Sequence, residues 1–467
     1  MILELTATIA IVVQDRAPLH ASPAASSPTL TSLWQGDVLE IRGERAGYLK
    51  VYDYRRERGG FLKEDTVRVV GLTESDAAEL LAVLRFLRDT PGSEALGISY
   101  GAAYLKAAPA AAVSAEPLDA IARMAERLAD QASGRAADPV VAAAHVEVVQ
   151  QFGIRMKSFE RQGRMQMCYD GDLYRRVLSQ TGASDEERAR AALGLTRTDC
   201  IDPNLGPVPR AAVDEEREQL LETINEEKLS PLLRSRLHAR RAGVLAAIAF
   251  EQAHRREPAA ATAQRALNEV LSVHADELGD DRRAEYQDAM LRVGAMRWAA
   301  QLRPVHTGFL ALTAAPGQPG QTCVTLKDSR QPKVAAVAQR CTYGIVWLAS
   351  AQSFAQDQAL VLAVQPLESW RELWVFHARA GGWTVDVLSP GLNEPEEGYV
   401  DFAGFAPGTR RLLLAREVKD HGRFRRRFEE LRLDDLALVH QASTPELLPD
   451  FGRWQDVDWR RESFALR

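Results

Sequence analysis

The chain has 467 residues, of which 46% are hydrophobic and 26% charged, a composition typical of a folded protein with about two to four domains. Its net charge of −6 provides no overall attraction for nucleic acid or anionic lipid, so no nucleic-acid partner is expected. The longest apolar run lies near the N-terminus and is interrupted by Glu4. It is shorter than the roughly 20 residues of a membrane span, and no span is predicted.

The first residues lack the layout of a secretion signal. Met1–Val13 contains none of the basic residues that open such a signal, and Thr8–Val13 continues into Gln14 and Asp15 as a strand would. The expectation is therefore either a cytosolic protein or an exported one whose signal is absent from this sequence.

Short strands separated by Gly and Pro are predicted over residues 7–70, as in a small β-barrel. The predicted strands are Ala7–Val13, Val38–Arg42, Tyr48–Tyr54 and Gly60–Leu62. Pro18–Pro28 is rich in turn-forming residues and is predicted to be a loop.

This segment resembles the bacterial Src-homology-3 family in an ordered set of motifs. Arg16–Pro23 matches the opening loop, Leu33–Ile41 (LWQGDVLEI) the strand x-x-G-x-x-V-x-V, Ala46–Val51 (AGYLKV) the motif G-W-x-K-V, and Gly59–Leu62 (GGFL) the motif G-W-V. Tyr48 and Phe61 stand where the family often has Trp. The resemblance implies a barrel over residues 1–72 that binds a peptide or a cell-wall ligand.

Aromatic side chains are the candidate ligand contacts, because grooves on such barrels bind peptides or glycans through aromatic residues. The candidates are Trp34, Tyr48, Tyr52, Tyr54 and Phe61. Core packing is the alternative role for Trp34 and Tyr48. Because Tyr52 and Tyr54 alternate with Val51 along a strand, we expect at least one of these two tyrosines to be exposed.

From Leu72 the hydrophobic period changes to that of helices, and residues 73–302 are predicted to form a helical domain. The predicted helix starts are Thr73, Asp138 with Pro139, the capping box Ser184–Glu187, and Ser230 with Pro231. A tetratricopeptide-like solenoid is the alternative to a bundle, although the helices show no clean repeat of that period.

Short apolar strands return near Pro304, and residues 303–467 are predicted to form an all-β domain. The predicted strands are Phe309–Thr313, Thr322–Leu326, Tyr343–Ala349, Ala359–Gln365, Glu372–Ala378, Trp383–Leu388, Tyr399–Phe405, Arg411–Arg416 and Phe428–Leu433. Phe402–Ala415 (FAGFAPGTRRLLLA) resembles one blade motif of Tol-type β-propellers. The length allows about three blades, too few to close a ring, so an open or two-layer sheet with blade-like hairpins is expected.

The four cysteines form two pairs that are local in sequence, Cys168 with Cys200 and Cys323 with Cys341. No Cys-x-x-Cys motif is present, and no zinc site is predicted. We expect two disulfides with these pairings, and four free buried thiols are the alternative. Because structural disulfides persist outside the reducing cytosol, this expectation favours a periplasmic or secreted protein.

Other motifs that could carry chemistry favour structural roles. Gly97–Gly101 spells the nucleophile-elbow pattern G-x-S-x-G, but no buried strand precedes it, and a glycine-rich loop between helices is expected. Solvated turns are expected for Asp434, Asp435 and Glu394–Glu397. Metal-ligand spacing is lacking for His306, His377, His421 and His440. No catalytic residue, metal ion or cofactor is predicted.

A basic run is the most unusual local feature of the chain. Residues 405–432 carry a local charge of +5, and its centre holds Arg423, Arg425, Arg426 and Arg427. Such a patch with interleaved phenylalanines could hold an anionic partner. The alternative is a solvated edge strand whose charges prevent aggregation.

The sequence therefore predicts a multi-domain protein with a Src-homology-3-like barrel, a helical domain and an all-β domain. The whole chain also resembles proteobacterial envelope proteins, a resemblance that gives no residue a role. The leading hypothesis is a non-catalytic envelope binding or scaffold protein with a protein or peptidoglycan-peptide partner. The alternative is a peptidoglycan hydrolase targeted by the barrel, although the acids between Glu215 and Glu227 have the pattern of a solvated face.

Overall fold

The computed structural model describes residues 8–135, 138–161, 163–301, 308–391, 397–420 and 422–462. An antiparallel β region is followed by a helical region and a second β region, so the predicted order of architectures is confirmed. Contacts divide the chain into an N-terminal unit, Met1–Pro207 with Leu220–Leu233, and a C-terminal unit, Val208–Gln219 with Arg234–Arg467. Within the described residues, none of the helices has the length and apolar character that a bilayer crossing requires.

The N-terminal unit begins with a seven-stranded antiparallel sheet. Its strands are Thr8–Val12 (β1), Ala17–His20 (β2), Thr29–Leu33 (β3), Val38–Arg45 (β4), Tyr48–Asp53 (β5), Arg58–Lys63 (β6) and Val67–Gly71 (β7), in the spatial order β3-β2-β6-β5-β4-β1-β7. Alternate residues such as Leu39, Leu49 and Val51 are buried in one core. No pairing joins β3 to β7 in the described part of the sheet, and closure into a barrel stays a prediction.

The predicted loop Pro18–Pro28 begins inside a strand, so this part of the prediction is wrong. β2 extends to His20 and pairs with both β3 and β6. Ala17 and Leu19 are fully buried in the core of the sheet. Burial of these two side chains outweighs the preference of Pro18 for a turn, because each buried apolar side chain stabilises the strand that carries it.

The helical part of the N-terminal unit surrounds a second core. Its helices are Ala77–Arg88 (α1), Glu94–Ala107 (α2), Ala115–Asp130 (α3), Pro139–Gln150 (α4), Asp172–Ser179 (α5) and Asp185–Leu195 (α6). A hairpin of Met156–Arg161 (β8) and Arg164–Tyr169 (β9), which the helical prediction did not anticipate, lies between α4 and α5. Asp138 caps α4 by accepting hydrogen bonds from Val140 and Val141, and Ser184 and Glu187 form the predicted capping box of α6.

Gly97–Gly101 lies within α2, so the predicted loop is wrong. The two glycines face α3, and a Cβ atom on Gly101 would lie 2.5 Å from Ile121 Cγ1. The glycines therefore allow the two helices to approach closely. Ser99 between them is buried, and its hydroxyl lies 2.6 Å from the carbonyl oxygen of Gly36 and 2.9 Å from that of Ala95. The serine of the G-x-S-x-G pattern is thus a helix-packing residue.

The chain continues through Pro207–Glu222 (α7) and Pro231–His254 (α8) into the C-terminal unit, which holds Ala260–Leu271 (α9) and Asp280–Ala300 (α10). Its strands are Leu310–Pro316 (β10), Thr322–Asp328 (β11), Ala338–Thr342 (β12), Ile345–Phe354 (β13), Ala359–Leu367 (β14), Trp370–Arg379 (β15), Gly382–Leu388 (β16), Glu397–Ala406 (β17), Arg411–Asp420 (β18), Arg423–Arg432 (β19) and Leu438–Ala442 (β20). Two short helices follow, Phe451–Trp454 (α11) and Val457–Glu462 (α12).

The strands of the C-terminal unit form a three-stranded sheet, β10-β11-β12, and an eight-stranded sheet, β13 to β20. Within the larger sheet, β13–β16 and β17–β20 are two antiparallel runs, joined by a short parallel pairing of Trp370 and Arg371 with Gly398 and Tyr399. One apolar core contains residues of both sheets, including Val324 and Leu362. The expected strands are present, together with β12 and β20, which were not predicted.

A buried charge cluster attaches α10 to the larger sheet. Asp401 on β17 accepts one hydrogen bond from Arg371 on β15 at 2.5 Å and forms an ion pair with Arg297 on α10 at 3.2 Å. Arg371 is fully buried, and its guanidinium lies 5.1 Å from the centre of the Tyr399 ring. Burial lowers the pKa of Arg371 although Asp401 opposes this effect. The carboxylate therefore offsets two positive charges that water does not reach.

A second attachment lies one turn earlier on α10. Arg292 donates a hydrogen bond to Glu397 at 2.7 Å, and Lys419 bonds to the other oxygen of this carboxylate at 3.0 Å. Glu397 is 7% exposed, so the predicted solvated turn is wrong at this residue, and residues 394–396 lie outside the described part of the chain. Burial raises the pKa of Glu397, while Arg292 and Lys419 act against this rise. Between the two attachments Gly294 makes room for Tyr399, because a Cβ atom there would lie 2.6 Å from the ring.

Replacing the central carboxylate should destabilise the C-terminal unit strongly. We expect Asp401→Asn to lower the free energy of unfolding by about 3–5 kcal/mol, because two buried guanidinium groups lose their counter-charge. Asp434→Asn is the matched control, since Asp434 is in an exposed ion pair with Arg410, which contributes about 0–1 kcal/mol. Urea unfolding of the two variants measures the difference, and equal effects would contradict the role assigned to Asp401.

Both predicted disulfides are present. Cys168 on β9 is bonded to Cys200 with a Cα–Cα distance of 5.7 Å. Cys323 on β11 is bonded to its direct cross-strand partner Cys341 on β12 with a Cα–Cα distance of 3.9 Å. Each bond lies within one unit, and each closes a short loop, with sequence separations of 32 and 18 residues.

Loss of either disulfide should destabilise the protein, because the unfolded chain gains conformational entropy when the cross-link is absent. For loops of these lengths we expect each Cys→Ser pair to lower the free energy of unfolding by about 3–4 kcal/mol. Peptide mapping by mass spectrometry without reduction should show two linked peptides, one per unit, in protein produced in an oxidising compartment. Four alkylatable thiols in that protein would contradict the pairing.

Candidate ligand-binding site

The structure brings four of the five candidate aromatic residues to one face of the N-terminal sheet. Tyr48 and Tyr52 on β5 alternate with side chains that point into the core, and Phe61 on β6 lies opposite Lys50 of β5. Tyr54 follows β5, and its ring contacts Tyr52 edge-on with the ring centres 5.0 Å apart. We call Tyr48, Tyr52, Tyr54 and Phe61, with Glu40 and Arg42, the tyrosine face.

Trp34 is not part of the tyrosine face. Its side chain is half-buried and packs against the core formed by the helices of the N-terminal unit. The Arg16 guanidinium lies 5.7 Å from the centre of the Trp34 ring. Trp34 thus makes packing contacts, and a ligand contact at this residue stays a prediction.

The aromatic residues of the tyrosine face differ in exposure. Tyr54 is 67% exposed, while Tyr52 and Phe61 are half-buried. Tyr48 is 9% exposed and packs edge-on against the buried His20, with the ring centres 6.1 Å apart. Tyr54, Tyr52 and Phe61 can thus touch a ligand, whereas Tyr48 mainly supports the sheet beneath them.

Glu40 contacts the exposed side chains of this face. It lies directly opposite Tyr52 in the pairing of β4 with β5. One of its oxygens accepts a hydrogen bond from Arg42 at 2.7 Å and another from the Tyr54 hydroxyl at 3.1 Å. The Arg42 guanidinium lies 3.8 Å from the centre of the Tyr52 ring, within the range of a cation–π contact. The hydrogen bond from Arg42 lowers the pKa of Glu40, which keeps the carboxylate ionised.

Sequence reasoning missed Glu40 and Arg42. Glu40 was part of a predicted strand, and its alternation with Leu39 and Ile41 is the signal that places it on the outer face. Its position opposite Tyr52 depends on the pairing register of β4 and β5, which no local pattern specifies.

The basic run on β19 is partly neutralised by its neighbours. Arg426 donates a hydrogen bond to Glu417 of β18 at 2.5 Å, and Arg425 is 3.4 Å from Asp420. Arg423 is exposed and Arg427 is half-buried. The four arginines therefore do not form a continuous free cationic surface.

Two of the four histidines singled out in the sequence, His377 and His440, lie in the described residues and have acidic partners. His377 is buried between the Leu433 carbonyl oxygen at 3.1 Å and Asp386 at 2.6 Å, and His440 lies 2.9 Å from Glu430. His306 and His421 lie outside the described residues.

Asp434 and Asp435 occupy an exposed turn and pair with Arg410 and Arg432, as expected for solvated acids. Across the described residues, no group of three or more His, Cys, Asp or Glu side chains is arranged to hold a metal ion.

The chain was compared with protein-family models, curated proteins and solved structures. None of them matches. The interpretation of the tyrosine face therefore depends on its own geometry and on the motifs that predicted it.

The difference in burial between Tyr48 and Tyr54 predicts different costs of truncation. We expect Tyr48→Ala to lower the free energy of unfolding by about 3 kcal/mol, because a buried aromatic ring leaves a cavity. Tyr54→Ala should change it by less than about 0.5 kcal/mol, since most of the side chain already contacts solvent. Hydrogen exchange of peptides from β4–β6, measured at increasing urea concentration, reports the unfolding of this sheet. A large effect of Tyr54→Ala would assign the Tyr54 ring to the core.

Proposed function

We propose that this protein is a non-catalytic binding protein of the bacterial cell envelope and that its tyrosine face binds a cell-wall peptide. The observation that carries the proposal is the arrangement around Glu40. This carboxylate accepts hydrogen bonds from Arg42 and Tyr54 beside Tyr52, and the arrangement presents an exposed aromatic surface to a ligand. Ordered tyrosines provide a large contact area at a small cost in conformational entropy.

The ordered motifs of the N-terminal segment support this proposal. The segments that resemble the bacterial Src-homology-3 family coincide with β4, β5 and β6. Tyr48 and Phe61, which stand where that family often has Trp, lie on the same face. We propose that the sheet is a barrel of this family, whose members often bind cell-wall peptides.

Charge favours a peptide ligand with free carboxylates. Arg42 and the exposed Lys50 lie on or beside the tyrosine face, and Glu40 already accepts two hydrogen bonds. A carboxylate can form charge-assisted hydrogen bonds with either cation, whereas a neutral glycan can form only the weaker hydrogen bonds between its hydroxyl groups and these side chains. Cell-wall peptides carry such carboxylates.

The two disulfides support a compartment outside the cytosol, because structural disulfides are rare where thiols are kept reduced. A periplasmic or secreted location places the tyrosine face within reach of the cell wall. For the C-terminal unit we propose a scaffold role, in which β13–β16 and β17–β20 are the blade-like hairpins and hold a second protein partner.

The proposal predicts that binding to the cell wall depends on Tyr54. Full-length protein should sediment with purified sacculi, and Tyr54→Ala should weaken binding by about tenfold or more, as is usual for a central aromatic contact. Soluble cell-wall peptides should compete. Phe86→Ala is the matched control, because Phe86 on α1 is 72% exposed and lies outside the tyrosine face.

Equal binding by wild type and Tyr54→Ala would show that the tyrosine face is not the site. The same incubation also tests the alternative function. Release of soluble wall fragments from the sacculi by the wild-type protein would contradict the non-catalytic proposal and favour a peptidoglycan hydrolase.

A further inference from the structure

A cleft of about 500 Å³ opens in the C-terminal unit, a volume that suits a small-molecule ligand. One wall is the end of α8 with His254, Arg255 and Arg256. The opposite wall is formed by the tip of the β10–β11 hairpin and the start of β13, and it includes Tyr343 and Ile345. The cleft thus has a cationic side and an apolar, aromatic side.

The cationic wall has no acidic residue among the side chains that line the cleft. Arg255 lies 3.6 Å from Glu251 on the preceding turn of α8, and its charge is partly offset there. No carboxylate pairs with Arg256 within the part of the chain that the structure describes. Arg256 is therefore the cation most available to an anionic ligand.

The backbone of Arg256 has an unusual conformation. Its φ of 63° is in the left-handed region, which glycine adopts readily and other residues adopt at a cost in free energy. The residue ends α8 in a Schellman motif, in which the Glu257 amide donates to Gln252 O at 2.8 Å and the Arg256 amide to Ala253 O at 3.0 Å. Glycine is the usual residue at this position. The helix dipole favours a cation near a helix C-terminus. A cation elsewhere in the last turn would have the same effect, so the dipole does not explain why an arginine stands at the usual glycine position.

The apolar wall is held in place by a covalent bond. The Cys323–Cys341 disulfide joins β11 to β12 next to the paired residues Thr322 and Thr342, directly before Tyr343. The Tyr343 hydroxyl donates a hydrogen bond to Gln318 in the hairpin tip at 3.3 Å. The Tyr343 ring is 59% exposed and is therefore accessible to a ligand in the cleft.

We infer that this cleft binds a small molecule that carries an oxyanion group, a carboxylate or a phosphate, on an apolar or aromatic body. Arg256 and Arg255 bind the oxyanion, because a guanidinium matches both groups with paired hydrogen bonds. Tyr343 and Ile345 contact the apolar body. This site is in the C-terminal unit and is independent of the function proposed for the tyrosine face.

The test uses the full-length protein and three small probes: phenyl phosphate, benzoate and the neutral benzamide. Saturation-transfer NMR and calorimetry should show saturable binding of phenyl phosphate or of benzoate, whichever carries the oxyanion of the natural ligand. Benzamide should not bind. Inorganic phosphate, which has no apolar body, should bind more weakly than phenyl phosphate. The stronger of benzoate and phenyl phosphate identifies the oxyanion. No saturable binding of either anion at millimolar concentration, or equal binding of benzamide, would overturn the inference.

Arg256→Gly separates a ligand role from a structural role. The variant should fold with an unchanged or higher melting temperature, because glycine relieves the left-handed backbone, yet it should bind the anionic probe about tenfold more weakly or worse. Arg410→Gly is the matched control: Arg410 also has a positive φ, of 51°, in the same unit but does not line the cleft. It should bind as the wild type does. Full binding by Arg256→Gly, or equal losses in both variants, would refute the assignment.

Discussion

The C-terminal unit depends on one carboxylate that two buried guanidinium groups share. Asp401 links Arg297 of α10 to Arg371 of β15, so a helix and two strands meet at one ionic centre. Removing an ion from water costs several kcal/mol, and this cost is offset only when oppositely charged partners are placed with good geometry. The centre lies beside the short parallel pairing of β15 with β17, which joins the two antiparallel runs. A shift of either run would separate the charges, and the cluster therefore restricts how the runs can pair.

In both candidate sites, as in the charge cluster, polar side chains contact one another without a ligand. On the tyrosine face, Glu40 fixes Arg42 and Tyr54 around Tyr52. In the cleft, a disulfide and a hydrogen bond position Tyr343. Ligand affinity is reduced by whatever must be immobilised on binding, so order that is already present favours recognition. This is the reason why we propose both arrangements as binding surfaces.

Elements with local signals could be predicted from the sequence, and elements with distant partners could not. Asp138 and the Ser184 capping box mark their helices through side chains that bond within three residues. Gly97–Gly101 was predicted to be a glycine-rich loop because no buried strand precedes it, but the segment is helical and its glycines pack against α3. Glycine weakens a helix by about 1 kcal/mol, and this contact compensates for that cost. Glu397 was predicted to lie in a solvated turn with its neighbouring acids. No local pattern could show that it is buried, since its partner Arg292 lies 105 residues earlier in the chain. In each error a contact made after folding outweighed a local preference.

The candidate sites follow the same division. Alternation along one strand was enough to expect an exposed tyrosine, and Tyr54 is exposed. Its partner Glu40 required the register of β4 against β5, which alternation does not provide. Arg256 was not predicted at all, because the usual sequence mark of a Schellman motif is a glycine and this helix ends without one. The end of α8 keeps its hydrogen bonds while carrying Arg256 in the left-handed region. Arg256 lines the cleft because two segments distant in sequence, the end of α8 and the start of β13, meet there, and no local pattern predicts that meeting.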